Sequence, residues 1–321
     1  MTNISLKDKN YWAVILGGSS GFGLSSAKRL AQSGFHLCIV HRDRRGAMSR
    51  IEPEFEAIKK MGVELLTFNI DGLSEEGRLT VLEDLEKKMQ SMNGAKVRTL
   101  LHSIAFGNLK LLAPLPKKRR DQTQKTVEKL AASLGVDAAL LRTEATRLFL
   151  EEGADELMHI ADEPAYSEEL FLGDEDMANT IYAMGTSLLT WTQSLFQKKM
   201  FASDARVLGL TSEGNETAWR GYAAVSAAKV ALESVSRSIA YEFGPHGIRS
   251  NILQPGVTDT AALRLIPGSS HMAAHSRLRN PLGRLTTTDD VGAAVLMMSL
   301  DETAWINGEI IRVDGGERIS G

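Results

Sequence analysis

Short apolar runs alternate with stretches of helical period along most of this chain, and that alternation constrains its fold more than any other feature. Tyr11–Leu16 and residues 35–40, 63–70 and 97–102 read as strands. Between them, residues 25–33 have helical character, Ile51, Phe55, Ile58 and Met61 form one apolar stripe, and Leu79, Leu82, Leu85 and Met89 form another. After a gap the pattern resumes with a long helix over 177–200, a strand over 205–210, a helix over 222–243 stopped by Gly244-Pro245, a strand over 248–253, a helix over 289–300 and a last strand over 309–313. Strands of five to eight residues interleaved with helices predict βαβ units, hence a parallel sheet covered on both faces. Residues 112–176 hold no convincing strand; Val127, Leu130, Leu134, Leu140, Leu141, Leu148 and Leu150 suggest short amphipathic helices there. The expectation is one α/β domain over 1–321, a doubly wound parallel sheet interrupted by a helical insertion, 113–176, after the fourth strand.

Composition agrees with a globular chain. Of 321 residues, 43% are hydrophobic and 24% charged, and 37 Lys+Arg against 40 Asp+Glu give a net charge of −3. That excludes a disordered polymer. Between Glu151 and Asp176 stand 11 acidic residues and no Lys or Arg, so the remainder is mildly basic, a balance that suits anionic substrates or carriers. A single cysteine, Cys38, sits in an apolar run, which points to a reducing compartment. The first ten residues have no apolar h-region and no run is long enough to span a bilayer, so the expected location is cytoplasmic, away from membranes.

The turn after the first strand reads Gly17-Gly18-Ser19-Ser20-Gly21-Phe22-Gly23. Glycines between a first strand and a first helix let a pyrophosphate approach main-chain N–H groups at a helix N-terminus. This predicts a Rossmann-like dinucleotide site. The second strand ends Val40-His41-Arg42-Asp43. An acidic residue there would accept from the adenine ribose, whereas a guanidinium at Arg42 pairs with a 2′-phosphate, so NADPH is favoured over NADH.

With these residues in place the chain resembles the short-chain dehydrogenase/reductase family. The matching pieces are Gly17-x3-Gly21-x-Gly23, Asn251-x2-Gln254-Pro255-Gly256 and Val313-Asp314-Gly315-Gly316. Classical members carry Tyr-x3-Lys, but Val225 stands four residues before Lys229, and Tyr222 stands seven before it. That Tyr-x6-Lys spacing, and His102-Ser103-Ile104-Ala105-Phe106-Gly107 after the fourth strand, is similar to the enoyl-acyl-carrier-protein reductases of fatty acid synthesis. One departure is Ser212, where those enzymes commonly hold a further tyrosine; Trp305-Ile306-Asn307-Gly308 also resembles the dienoyl-CoA reductases.

The resemblance implies reduction of an enoyl thioester carried on acyl carrier protein or coenzyme A. Tyr222 would stabilise enolate charge and contact substrate, and Lys229 would bind the nicotinamide ribose and hold positive charge nearby. It also places Gly17, Ser19, Gly21, Phe22 and Gly23 at the pyrophosphate, and His41, Arg42, Asn69 and Ile70 around the adenosine, with Asp71 competing for the Asn69-Ile70 position. Ser103, Ile104 and Ala105 fall beneath the ribose and nicotinamide; Val257, Thr258 and Thr260 fall at the carboxamide. Phe106, Ser212 and the loop 261–279 would border the acyl chain, and the family's habit implies a homotetramer. Two further readings stay open: a dienoyl-CoA or carbonyl reductase, and a non-catalytic NADPH sensor or scaffold, against which the intact Tyr222 and Lys229 argue.

Other features read blandly. His271 and His275 are four apart, but no third ligand accompanies them, so no metal is expected. The run Lys117-Lys118-Arg119-Arg120 lacks interleaved aromatics and does not predict nucleic-acid binding. Asn179 and Tyr182 fall equally near a position where classical members keep an asparagine, and neither is assigned a catalytic part. The insertion leaves the carboxyl edge of the sheet, where ligands bind in this architecture, which suggests a cap on the acyl pocket.

Overall fold

The computed structural model describes residues 6–115, 117–167 and 171–320. Seven parallel strands form one sheet: β1 (Tyr11–Leu16), β2 (His36–His41), β3 (Leu65–Asn69), β4 (Lys96–His102), β5 (Phe201–Leu210), β6 (Ile248–Pro255) and β7 (Ile310–Val313). Their order is β3-β2-β1-β4-β5-β6-β7, the doubly wound arrangement whose direction reverses beside β1. Alternate residues of β1 feed opposite faces. Trp12, Val14 and Leu16 join one core cluster, while Ala13 and Ile15 join the other.

Helices cover both faces. On one lie α1 (Gly21–Gln32), α2 (Met48–Lys59) and α11 (Thr288–Met298), contributing Leu30, Phe55, Ile58 and Val295 to the core. On the other lie α3 (Glu75–Gln90), α7 (Ser187–Gln197) and α8 (Ala223–Glu242), contributing Leu82, Leu85, Trp191 and Leu232. Burial of these large apolar side chains, each worth about 1.5–3 kcal/mol, is what commits the alternating pattern to layers.

The long helix expected over 177–200 is interrupted. It runs as α6 (Asp174–Ile181), a π turn at Tyr182–Thr186, then α7. The turn lies against α8, and a Cβ on Gly185 would come within 2.7 Å of the Ala228 carbonyl oxygen. An extra residue in a helical turn re-aims side chains without ending the helix, and the apolar pattern alone carries no mark of it.

Between β4 and α6 the chain forms α4 (Lys117–Leu134) and α5 (Ala138–Glu151), then a short turn at Asp155–His159. The basic run opens α4; its side chains lie outside the described residues. The two ends of this segment meet in an isolated parallel bridge between Leu111 and Phe171, and Lys110 pairs with Asp176 at 2.7 Å. After β6 come the short α9 (Ala261–Arg264) and α10 (Ser269–Arg279). Among the described residues no helix is long and apolar enough to cross a membrane.

Candidate active site

The turn from β1 into α1 is shaped by contact. Gly17 has φ +82°, and a Cβ there would lie 2.5 Å from the Ser103 carbonyl oxygen, so only glycine lets the turn pass the end of β4. Gly23 packs directly on the Gly17 carbonyl and does not line the cleft. Gly21, at φ +54°, has open space where a Cβ would stand, with Thr260 the nearest side chain at 3.9 Å. The result is a concave backbone surface at a helix N-terminus, the shape a dinucleotide pyrophosphate requires. The cleft above it is lined by Gly17, Ser19, Gly21, Phe22, His41, Arg42, Ile70, Ser103, Ile104, Ala105 and Thr260, which brings most of the expected cofactor residues together.

At the end of the cleft beside β2 and β3 the Arg42 guanidinium meets Asp71 at 2.9 Å and stands over the Phe106 ring, 5.5 Å from its centroid. Both charged side chains are about half exposed, so the pair is weak. Asp43 also lines the cleft and pairs with the buried His41 ring at 2.8 Å. Asn69 does not line the cleft; its side chain braces the Asp43 main chain, accepting from the Asp43 N–H and donating to its carbonyl. Ile70 and Asp71 face the cleft instead, one register step on. Phe106, expected beside the acyl chain, is 59% exposed and sits on the Arg42 side.

The cleft continues into a second, more apolar pocket through Phe22, Ser103, Ile104, Ala105 and Thr260. Tyr222 and Lys229 both open into this pocket. Tyr222 is the residue before α8, and seven residues are two helical turns, so the phenol and the amine share one side of the helix. The Tyr222 hydroxyl is 3.3 Å from Ser212 Oγ. Burial pushes its pKa up, opposed by the Ser212 hydrogen bond. Lys229 is 7% exposed and donates to the Leu210 carbonyl at 2.7 Å. Burial lowers its pKa to about 8, and Glu233, one turn on, opposes that fall. His102 at the end of β4 is fully buried, 2.8 Å from Ser187 Oγ, with its pKa pushed to about 3 by burial and then by the Lys229 charge.

Val257 and Thr258 line the apolar pocket with Leu263, Ile266 and Met272 of the loop that follows β6. A charged clamp that sequence reasoning missed holds this region. Arg279 makes a bidentate pair with Glu213 at 2.9 and 2.6 Å and reaches Glu317 at 3.1 Å. Glu317, 2% exposed, accepts from the Val257 N–H at 3.2 Å. Glu233 was also missed; it accepts from Thr211 Oγ1 and from Asn215 Nδ2, fixing the strand-end loop that carries Ser212. Both are charged residues in regular positions, and only their long-range partners reveal them. Asn179 is exposed, and Tyr182 donates to the Leu73 carbonyl, so neither enters the pockets. Among the described residues no group of three or more His, Cys, Asp or Glu could hold a metal.

Comparison with known proteins adds the family. The family described as enoyl-(acyl carrier protein) reductase matches residues 160–317, the half of the chain that carries Tyr222, Lys229 and the clamp. The chain belongs to the short-chain dehydrogenase/reductase family. It is 32% identical over 180 residues to the enoyl-acyl-carrier-protein reductase (NADH) of Aquifex aeolicus, covering 54% of this chain and 66% of that protein. It is 35% identical over 91 residues to the peroxisomal 2,4-dienoyl-CoA reductase of Mus musculus, covering 28% and 31%. The chain thus spans from about a third to just under two thirds of the length of these curated relatives. Among solved structures, FabI from Candidatus Liberibacter asiaticus superposes with a TM-score of 0.72 at 19% identity, covering 100% of this chain and 99% of that one, which shows the short-chain dehydrogenase/reductase fold.

Proposed function

We propose that this chain is an oxidoreductase that reduces the C=C bond of an enoyl thioester, on acyl carrier protein or coenzyme A, with NADPH as preferred donor. The observation that carries the reading is that Tyr222 and Lys229 both line one apolar pocket continuous with a glycine-floored cleft. A reduced nicotinamide held there supplies hydride to the thioester's β-carbon. The displaced electron pair moves to the thioester oxygen, and the α-carbon then takes a proton. Tyr222 donates a hydrogen bond to that oxygen as its charge develops, the interaction worth most in a water-poor site. Lys229 spends one N–H on Leu210 and keeps two for the ribose hydroxyls, its charge favouring the enolate. Thr258, Val257 and Thr260 orient the carboxamide, and Leu263, Ile266 and Met272 receive the acyl chain.

Preference for NADPH rests on Arg42. Its exposed pairing with Asp71 is worth about 0–1 kcal/mol, which a 2′-phosphate dianion outcompetes, and one oxygen of Asp43 is engaged by His41. The Aquifex aeolicus relative is named for NADH. Arg42 is the residue on which this chain's choice turns.

A second reading has its own support. Ser212 and Tyr222 place two hydroxyls 3.3 Å apart, so that one could hold a carbonyl oxygen while the other gives it the proton that reduction to an alcohol consumes. Oxidation of NADPH by crotonyl thioesters, set against oxidation of secondary alcohols with NADP, separates the two. Tyr222→Phe is expected to slow crotonyl reduction by about 10²–10³-fold with the thermal midpoint unchanged. Full turnover in that variant overturns the assignment.

A further inference from the structure

The inserted helices do not line the acyl pocket. Among the described residues, none from 113–176 faces it. They pack instead on the outer side of α10, and the two sides of that helix are held by different parts of the molecule. Met272, Ser276 and Arg279 lie on one side, where Met272 lines the pocket and Arg279 grips Glu213 and Glu317. His271, Ala274 and Arg277 lie on the other. There Ala274 is fully buried with Phe149 and Ala161 of the insertion, and the Phe149 ring meets the His271 ring edge-on at 4.8 Å. Arg277 donates twice to Asp155, both at 2.6 Å, and the Asp155 carboxylate is nearly buried. At the N-terminal end of α10, Gly268 has φ +81° and Pro164 fills the space where a Cβ would stand.

We propose that the insertion is a positioning brace for the acyl pocket, acting through the Asp155–Arg277 pair, and that Asp155 is a positioning residue for substrate although it never touches it. The segment 257–279 is built of short pieces, α9 having four residues, and a helix of three turns has little stability of its own. Its inner side offers a pocket that must be open enough to take an acyl chain. The inner clamp at Arg279 holds only the last residue of α10, so the rest of the helix depends on its outer side. A bidentate pair with one member out of water, backed by an apolar patch, supplies that support at fixed register. The consequence is specificity: the brace sets where Met272 of α10 stands, and so the width of the pocket, while no residue of α10 lines the dinucleotide cleft.

The inference rests on the reductase reading only for its kinetic arm, and the test keeps the two apart. In the full-length protein, Asp155→Asn removes the charge with little change of shape and Asp155→Glu retains it. Amide hydrogen exchange over 269–279 is expected to accelerate about tenfold in Asp155→Asn, to stay near the parent rate in Asp155→Glu, and to leave β1 and β4 unchanged. With crotonyl thioester, KM is expected to rise about tenfold in Asp155→Asn while kcat and the KM for NADPH stay within twofold. Unchanged exchange over 269–279 overturns the brace, whatever the kinetics. If Asp155→Asn does not fold, Arg277→Lys, which keeps charge and loses the second hydrogen bond, must show the same exchange change, and its absence overturns the proposal too. Exchange that responds in a protein that reduces no thioester leaves the brace standing and removes the reductase reading.

Discussion

On the reading proposed above, the choice between cofactors turns on one side chain, Arg42. Its contacts are solvent-facing: Asp71, which accepts from the Leu73 N–H, is half exposed, and Phe106 offers a ring face on an exposed residue. Arg42→Ala is therefore expected to raise the KM for NADPH by about 10–100-fold and to change that for NADH by less than threefold, since a guanidinium on a phosphate is worth about 1.5–3 kcal/mol. Equal effects on both cofactors, read from initial rates, would show that the 2′-phosphate is not bound here. At this scale the sequence was informative wherever chemistry fixes spacing. The seven residues from Tyr222 to Lys229 already place both groups on one helix side. It placed Asn69 beside the adenosine, whereas the fold spends that amide on Asp43, because one residue of register decides which side chain faces the cleft. Glu317, Arg279 and Glu233 were illegible for another reason: their partners are distant in the chain.

Elements were legible to within a few residues where burial is periodic, and less so where helices meet. The π turn at Tyr182–Thr186 is the clearest case. Met184 and Val225 pack together there, and the backbone of the turn runs against that of α8 just before Lys229. A methyl group at position 185 would push on the Ala228 carbonyl, which lies one residue from the amine. Gly185→Ala is expected to destabilise the fold by about 1–3 kcal/mol, as other overpacked substitutions do, and to reduce turnover further by displacing α8. Chemical denaturation and steady-state rates on the same preparation check it; parent-like values for both would show that the helices can separate at no cost. Nothing in a run of apolar residues announces such a turn, since the pattern records which side is buried and not how many residues make the circuit.

At the scale of the molecule the sheet has two unlike ends. At the start of its strands, Arg98 and Arg206 are almost wholly buried and are held by Asp204 at 2.6 and 3.1 Å, by Asp301, and by the Ser299 and Leu300 carbonyls. This end is bolted. At the other end lie the glycine turn, His102 and Lys229, where buried ionisable groups are kept in an unfavourable setting. His102 makes the cost visible. Its folded pKa, about 3, is below the unfolded value near 6.5, so the unfolded chain binds more protons between those limits and stability is lost as pH falls through that window. Each unit of acidification below 6.5 is expected to remove up to about 1.4 kcal/mol through this group. Urea midpoints measured from pH 7 to 4 should fall less steeply in His102→Gln than in the parent, and parallel slopes would contradict the assignment.

The bridge from Leu111 to Phe171 has a consequence for how such a protein could arise and be altered. Because the segment 112–170 departs and returns at adjacent points, with Lys110 and Asp176 fastening its base and its other contacts made to α10, it places no load on the register of the strands. Whole helices can be gained, lost or exchanged at that one doorway while the strands behind it keep their register. If the brace proposed above holds, variation in that segment reaches the pocket through α10 and leaves Tyr222 and Lys229 in place.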